Sequence, residues 1–184
     1  VLGRRSDPAA LRVLRDSVED SDAGVRQEVI QSLASVGRRL GERGLTTARM
    51  EATGLLNKIL LAGNGSDEVA ARAALLSLGD ESQRAPLSTA LKSLDERKRL
   101  QVVQAVERDS TLLATALDDS APAVRQVAAR KLAAMGDQRA APALRETVSS
   151  QRNSAEGLHA YAQLRRLGQD MSPPPDAQAM MDSK

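Results

Sequence analysis

The side chains able to do chemistry are few and badly grouped for it. His159 is the only histidine and the chain has no cysteine, so neither a His/Cys metal cluster nor a Cys–His pair can be assembled. A Ser–His–Asp site would have to use His159, which lies in a helical stretch with no nucleophile motif around it. Gly63-Asn64-Gly65 lacks the following Lys-Ser/Thr of a phosphate-binding loop and reads as a turn. Carboxylates are plentiful, with Glu19, Asp20 and Asp22 in one cluster and Asp118 and Asp119 in another. Paired acids can hold a cation or move protons. Both clusters, however, stand directly before a Val-Arg pair, at the same phase of a repeated segment. That recurrence points to helix capping and attraction to the positive helix end. The expectation is a chain that is not an enzyme, with no cofactor and no metal.

The basic residues offer a second kind of chemistry. Arg38, Arg39 and Arg43 gather with Arg49; Arg97, Lys98 and Arg99 are consecutive; Arg165 and Arg166 are adjacent. Such clusters engage phosphates if they share one face. Single-strand binding usually draws on aromatic platforms, and Tyr161 is the only aromatic residue. Glu42, Glu51, Asp95 and Glu96 interrupt the patches, and the formal net charge is only +2. Nucleic-acid binding is therefore the lesser alternative. Arg38, Arg39, Arg43, Arg72, Arg97, Lys98, Arg99 and Arg130 are candidates for contacting a partner, with a protein favoured.

What positions these residues is a repeat. Asp20-Ser21-Asp22-Ala23-Gly24-Val25-Arg26-Gln27 returns as Asp119-Ser120-Ala121-Pro122-Ala123-Val124-Arg125-Gln126, and each copy runs on to Leu33 and Gly37 or Leu132 and Gly136. Internal repetition at fixed spacing marks a stack of similar units. Phe, Trp and Cys are absent, and the abundance of strong helix formers predicts an all-α chain. Taking Gly3, Gly37, Gly79, Gly136 and Gly168 as helix ends, with one further break near Glu107 to Asp109, gives five helix pairs. First helices are expected over 8–18, 48–62, 84–93, 110–117 and 139–149. Second helices are expected over 23–36, 67–78, 96–107, 122–135 and 154–167. Val25, Val29, Leu33 and Val36 make one apolar face, reproduced by Val124, Ala128, Leu132 and Met135. Asp67 breaks that stripe in the second pair. Caps are expected from Asp7 before Pro8, from Ser120 before Pro122, and from Asn153 with Glu156.

The pattern Asp-Ser-x-x-x-Val-Arg-Gln followed by Leu and Gly, then Asp137 and Ala140-Ala141-Pro142-Ala143-Leu144, resembles bacterial HEAT repeats of the short kind also found in phycobilin lyases. The resemblance covers residues 1–168 and implies an α-solenoid, or α-α superhelix, of about five helix pairs. It also implies a non-catalytic scaffold or adaptor for protein–protein interaction. Within the family the Val-Arg helix looks like the inner one, and its arginine bonds acidic or carbonyl groups of the turns. By position this makes Arg26, Arg125, Asp20 and Asp119 a structural ladder between repeats, while Glu68 stands at that place in the second pair. Lyase-like handling of a tetrapyrrole is implied only by the family's name-giving members.

Two segments depart from the pattern. Arg38 to Thr47 reads as an insertion after Gly37, expected to be a loop on the edge of the stack. Residues 169–184 leave the repeat; Pro173-Pro174-Pro175 is expected to be extended, with Ala177 to Met181 docking on the end of the stack. Val1-Leu2-Gly3 reads as the tail of an inner helix, so upstream repeats of the same polypeptide are expected. No apolar run reaches membrane-spanning length. The cysteine-free composition suits the cytoplasm, and an exported form with its leader removed stays open.

Overall fold

The computed structural model describes residues 9–62, 65–151, 154–170 and 172, and every regular element among them is helical. The chain divides into two units, Val1–Glu107 and Arg108–Lys184. The first holds α1 (Ala9–Asp16), α2 (Ala23–Glu42), α3 (Thr46–Ala62), α4 (Gly65–Ser77), α5 (Arg84–Leu91) and α6 (Glu96–Ala105). The second holds α7 (Ser110–Thr115), α8 (Pro122–Ala134), α9 (Ala141–Ser150) and α10 (Ala155–Arg166). Each of the expected helices is present. Val1-Leu2-Gly3, the Asp7-Pro8 start, Asn153 and the tail from Pro173 onward lie outside the described residues.

Helix starts are set by short acceptor side chains. Asp22 caps α2 by accepting from the Gly24 and Val25 N–H groups. Asp95 does the same for Lys98, Asp109 for Leu112 and Ser154 for Gly157. At α8 the expected Ser120 cap is not used; Asp119 instead accepts from the Ala121 N–H at 2.8 Å, and Pro122 occupies the first helical position. The Lys98 N–H, with the Lys98 and Arg97 charges nearby, holds the Asp95 carboxyl below its ordinary 3.8. The Arg139 side chain does so for Asp137, and the Ser82 hydroxyl for Asp80. Each carboxylate then binds its proton more weakly folded than unfolded. Its stabilisation is complete above the unfolded pKa and is lost as the pH falls through the lower folded value. Thermal unfolding should therefore be insensitive to these groups above about pH 5 and weaken below about pH 4. Asp137→Asn should flatten that acid limb.

The ends of α2, α4, α8 and α10 share one device. At Gly44, Gly79, Gly136 and Gly168 the backbone takes positive φ, and the following N–H reaches back to the carbonyl of Leu40, Leu75, Leu132 or Leu164 at 2.9 to 3.0 Å. This is the Schellman closure, which needs the left-handed conformation that glycine adopts without strain. It corrects the reading of Gly37 as a terminator and of Arg38 to Thr47 as a loop. α2 runs on to Glu42, and only Arg43 to Leu45 turn the chain. Gly44 follows Gly37 by seven positions, about two helical turns. The extension therefore keeps its phase, and Leu40 continues the apolar stripe of Leu33 and Val36 with no exposure at all. Deleting 38–47 would remove packed helix, not an edge loop.

Gly37 is a glycine for a different reason. A Cβ there would stand 2.9 Å from the Ala52 Cβ on α3 and 3.3 Å from both Leu78 methyl groups. The Ala52 Cβ is fixed to its backbone and can yield only if α3 moves. Gly37→Ala gains about 1 kcal/mol of helix propensity and meets an overpacking cost of about 1–3 kcal/mol. The variant should be destabilised by about 1 kcal/mol in urea denaturation, the reverse of the usual Gly→Ala effect.

In the first unit α2, α4 and α6 lie side by side and run the same way. Near their starts Arg26 on α2 pairs with Asp67 on α4 at 2.7 Å. Near their ends Gly37 meets Leu78, and the Ser77 hydroxyl donates to the Ala105 carbonyl at 3.1 Å. α1 and α3 cover the other side of α2 and α4 and close a core of Leu11, Leu14, Leu33, Val36, Leu56 and Leu75. In the second unit Leu112, Leu113, Val124, Leu132, Leu144 and Leu164 are buried. Val25, expected on the apolar face, is 40% exposed on the open first turn of α2, whereas its counterpart Val124 is fully buried. Met135, expected beside Leu132, is the residue after the last turn of α8 and also projects to solvent.

Candidate functional site

The repeated Val-Arg pair places its arginine at the fourth helical position, one turn above the cap. Arg26 Nη1 donates to the Asp20 and Ser21 carbonyls at 2.7 and 3.0 Å. Arg125 Nη1 donates to the Asp119 and Ser120 carbonyls at 2.8 and 3.1 Å. Asp20 and Asp119 use their own carboxylates alike, accepting from the Asp22 and Ala121 N–H groups at 2.8 Å. Arg99 is a third instance: it stands four residues after its cap Asp95 and gives Nη1 to the Leu94 carbonyl at 2.7 Å. The sequence offers no Val before Arg99, so only its distance from Asp95 could have revealed it.

Arg26 and Arg125 then reach further. Arg26 Nε bonds Asp67, which also accepts from Gln27 Nε2 at 2.6 Å. Asp67 is only 1% exposed. A charge so deep requires a partner with good geometry, and the two side chains of α2 provide it. The break that Asp67 makes in the apolar stripe is thus the acceptor of an inter-helix ion pair. Arg125 Nη2 reaches Glu146 on α9 at 2.7 Å. Glu68, at the arginine's place in α4, accepts instead from Arg72, whose Nη1 goes on to Gln83 at 2.8 Å.

The outer side of the α2, α4 and α6 layer carries a cavity of about 540 Å³. Its floor is small and apolar, from Ile30 and Ala34 on α2, Val69, Ala70 and Ala74 on α4, and Val102 and Ala105 on α6. Its walls are amides and hydroxyls: Gln27, Gln31, Ser35, Ser66, Ser77, Gln101 and Gln104. Among the described residues, three ionisable side chains line it. Arg38 and Glu107 face each other at 3.2 Å at one end, and Lys98 lies at the other, 3.4 Å from Asp95 outside the lining. Ser77 fixes the end wall, since its hydroxyl also accepts the Glu107 N–H at 3.3 Å.

Of the candidate partner residues, Arg38 and Lys98 line this cavity; Arg39, Arg43, Arg72, Arg97, Arg99 and Arg130 do not. Arg97 and Arg130 are exposed. Arg39 buries Nε and Nη2 without a hydrogen-bond partner among the described residues. Arg165 and Arg166 are exposed near the end of α10, as is His159 on the same helix. Missed from the sequence were Gln101, Ser35, Ser66 and Ser77. The signal was present in the spacing: Gln27, Gln31, Ala34, Ser35 and Arg38 recur at helical intervals on α2, as do Lys98, Gln101, Val102 and Ala105 on α6.

Among the described residues no cluster of His, Asp and Glu could hold a metal ion, and no helix is long and apolar enough to cross a membrane. No protein-family model matches the chain, and no curated protein matches it in sequence.

Proposed function

We propose that the chain is a binding scaffold, a short α-solenoid of HEAT-like helix pairs whose second helices form the working face for a protein partner. The groove across α2, α4 and α6 carries this reading: it combines an apolar floor with mainly uncharged polar walls, as recognition surfaces do. The repeat character is supported by the arginines at one position of α2, α6 and α8 and by the four shared Schellman ends. A role in turnover finds no support in residues that mostly bond one another. The basic clusters are a poor phosphate track for the same reason: Arg38 faces Glu107, Arg72 faces Glu68, and Arg99 is turned to a carbonyl.

Cross-linking the intact protein in the cells that make it, followed by mass spectrometry, tests the reading. A stoichiometric protein partner is expected, with retention that changes little between low and moderate salt. Recovery of nucleic acid alone, lost steeply as salt rises, would replace the scaffold with phosphate-backbone binding.

A further inference from the structure

We propose that the α8–α10 face of the second unit docks an acidic segment of the partner's polypeptide, held by Arg130 and Arg166. This rests on the scaffold reading and adds a second place of contact and the charge of what is held there. The first ground is the repeat. Matching Val25-Arg26-Gln27 to Val124-Arg125-Gln126 sets Arg130 at the place of Gln31. Matching Leu75 and Gly79 to Leu164 and Gly168 sets His159 and Arg166 at the places of Ala70 and Ser77. Gln31, Ala70 and Ser77 all line the groove of the first unit. The same face of the second unit therefore carries two arginines and an imidazole where the first carries an amide, a methyl and a hydroxyl.

The second ground is that these groups meet on one surface. α8 and α10 lie abreast with their ends together: Gln163 Nε2 donates to the Arg130 carbonyl at 3.4 Å, and Gln138 Nε2, just past α8, donates to the Leu167 carbonyl at 2.9 Å. His159 and Arg166 stand four residues before and three after Gln163, the spacings that share a helix face. All three side chains, Arg130, His159 and Arg166, are exposed. The third ground is charge. In the first unit the cations on this face have counter-ions, Glu107 for Arg38 and Asp95 for Lys98. Among the described residues no carboxylate pairs with Arg130 or Arg166. α8 holds no acid, and Glu156 of α10 lies in its first turn, about 15 Å before Arg166 at the helical rise. Two uncompensated guanidinium groups on neighbouring helices raise a positive potential that carboxylates complement. A polypeptide fits better than a nucleic acid. Two arginines fall well short of the about 6–10 phosphate contacts that make duplex binding steeply salt-dependent. The only aromatic ring, Tyr161, is buried and so is not offered to a base.

The probe is a fluorescein-labelled oligoglutamate titrated against the full chain by fluorescence anisotropy at low salt, beside a DNA duplex of the same net charge. Oligoglutamate should bind the more tightly. Arg130→Gln with Arg166→Ser, the residues that the first unit carries at those places, should weaken its binding by at least about tenfold. Arg12→Gln with Arg97→Gln removes the same charge from exposed sites elsewhere and should change the affinity by less than about twofold. Far-UV circular dichroism and Tm should be unchanged in both double variants. No binding of oligoglutamate, equal losses in the two double variants, or tighter binding of the duplex would each overturn the proposal. A protein partner recovered by cross-linking whose retention ignores the Arg130 and Arg166 substitutions would sink this face and leave the scaffold standing. Absence of any protein partner would remove the scaffold itself, and the docking with it.

Discussion

Replacing Asp67 by Ala should lower the unfolding free energy by about 2–4 kcal/mol, one of the two largest single-site effects expected in this chain. The substitution strands Arg26 Nε and Gln27 Nε2 at the crossing of α2 and α4, both within 2.7 Å of the lost carboxylate. Breaking a buried pair from one side costs about 3–5 kcal/mol when the survivor stays dry. Arg26 retains 17% of its side-chain exposure and the Asp20 and Ser21 carbonyls, which lowers the expected cost. Urea denaturation measures it directly. Adding Arg26→Met to Asp67→Leu should cost less than the sum of the two single changes, because the stranded charge is then gone. Additivity would mean that the pair contributes nothing as a pair.

The second large effect belongs to the other unit. Leu132→Ala should destabilise by about 2–5 kcal/mol, the range for a fully buried leucine whose site cannot collapse. Leu132 has no exposure, and its carbonyl closes the end of α8 by accepting the Asp137 N–H, so the backbone around it is pinned. Met135→Ala, three residues on and exposed, is the control and should stay within about 0.5 kcal/mol. Equal losses at the two positions would mean that α8 is turned differently against its neighbours.

Helix content and order were legible because each helix carries its own punctuation. Asp22, Asp95, Pro122, Gly79, Gly136 and Gly168 act locally, through caps and left-handed ends that no distant residue alters. Gly37 misled because glycine has two uses, and the second, close approach to Ala52, depends on a helix that local reading cannot place. Asp67 was legible as an interruption of the stripe but not as an acceptor, since its donors lie 40 and 41 residues earlier on α2. The candidate site was half legible. Charged residues drew attention to themselves, yet the cavity is walled mainly by glutamines and serines, whose function depends on three helices being brought abreast.

The common direction of α2, α4 and α6 has an electrostatic consequence. Aligned helix dipoles lying abreast repel, and each brings about half a positive charge to the same edge of the layer. That edge also holds Asp22 at the cap of α2, Asp67 in the first turn of α4 and Asp95 at the cap of α6, one carboxylate for every positive pole. These three carboxylates thus act as counter-ions to the shared direction of the helices, and any further helix added abreast would require another.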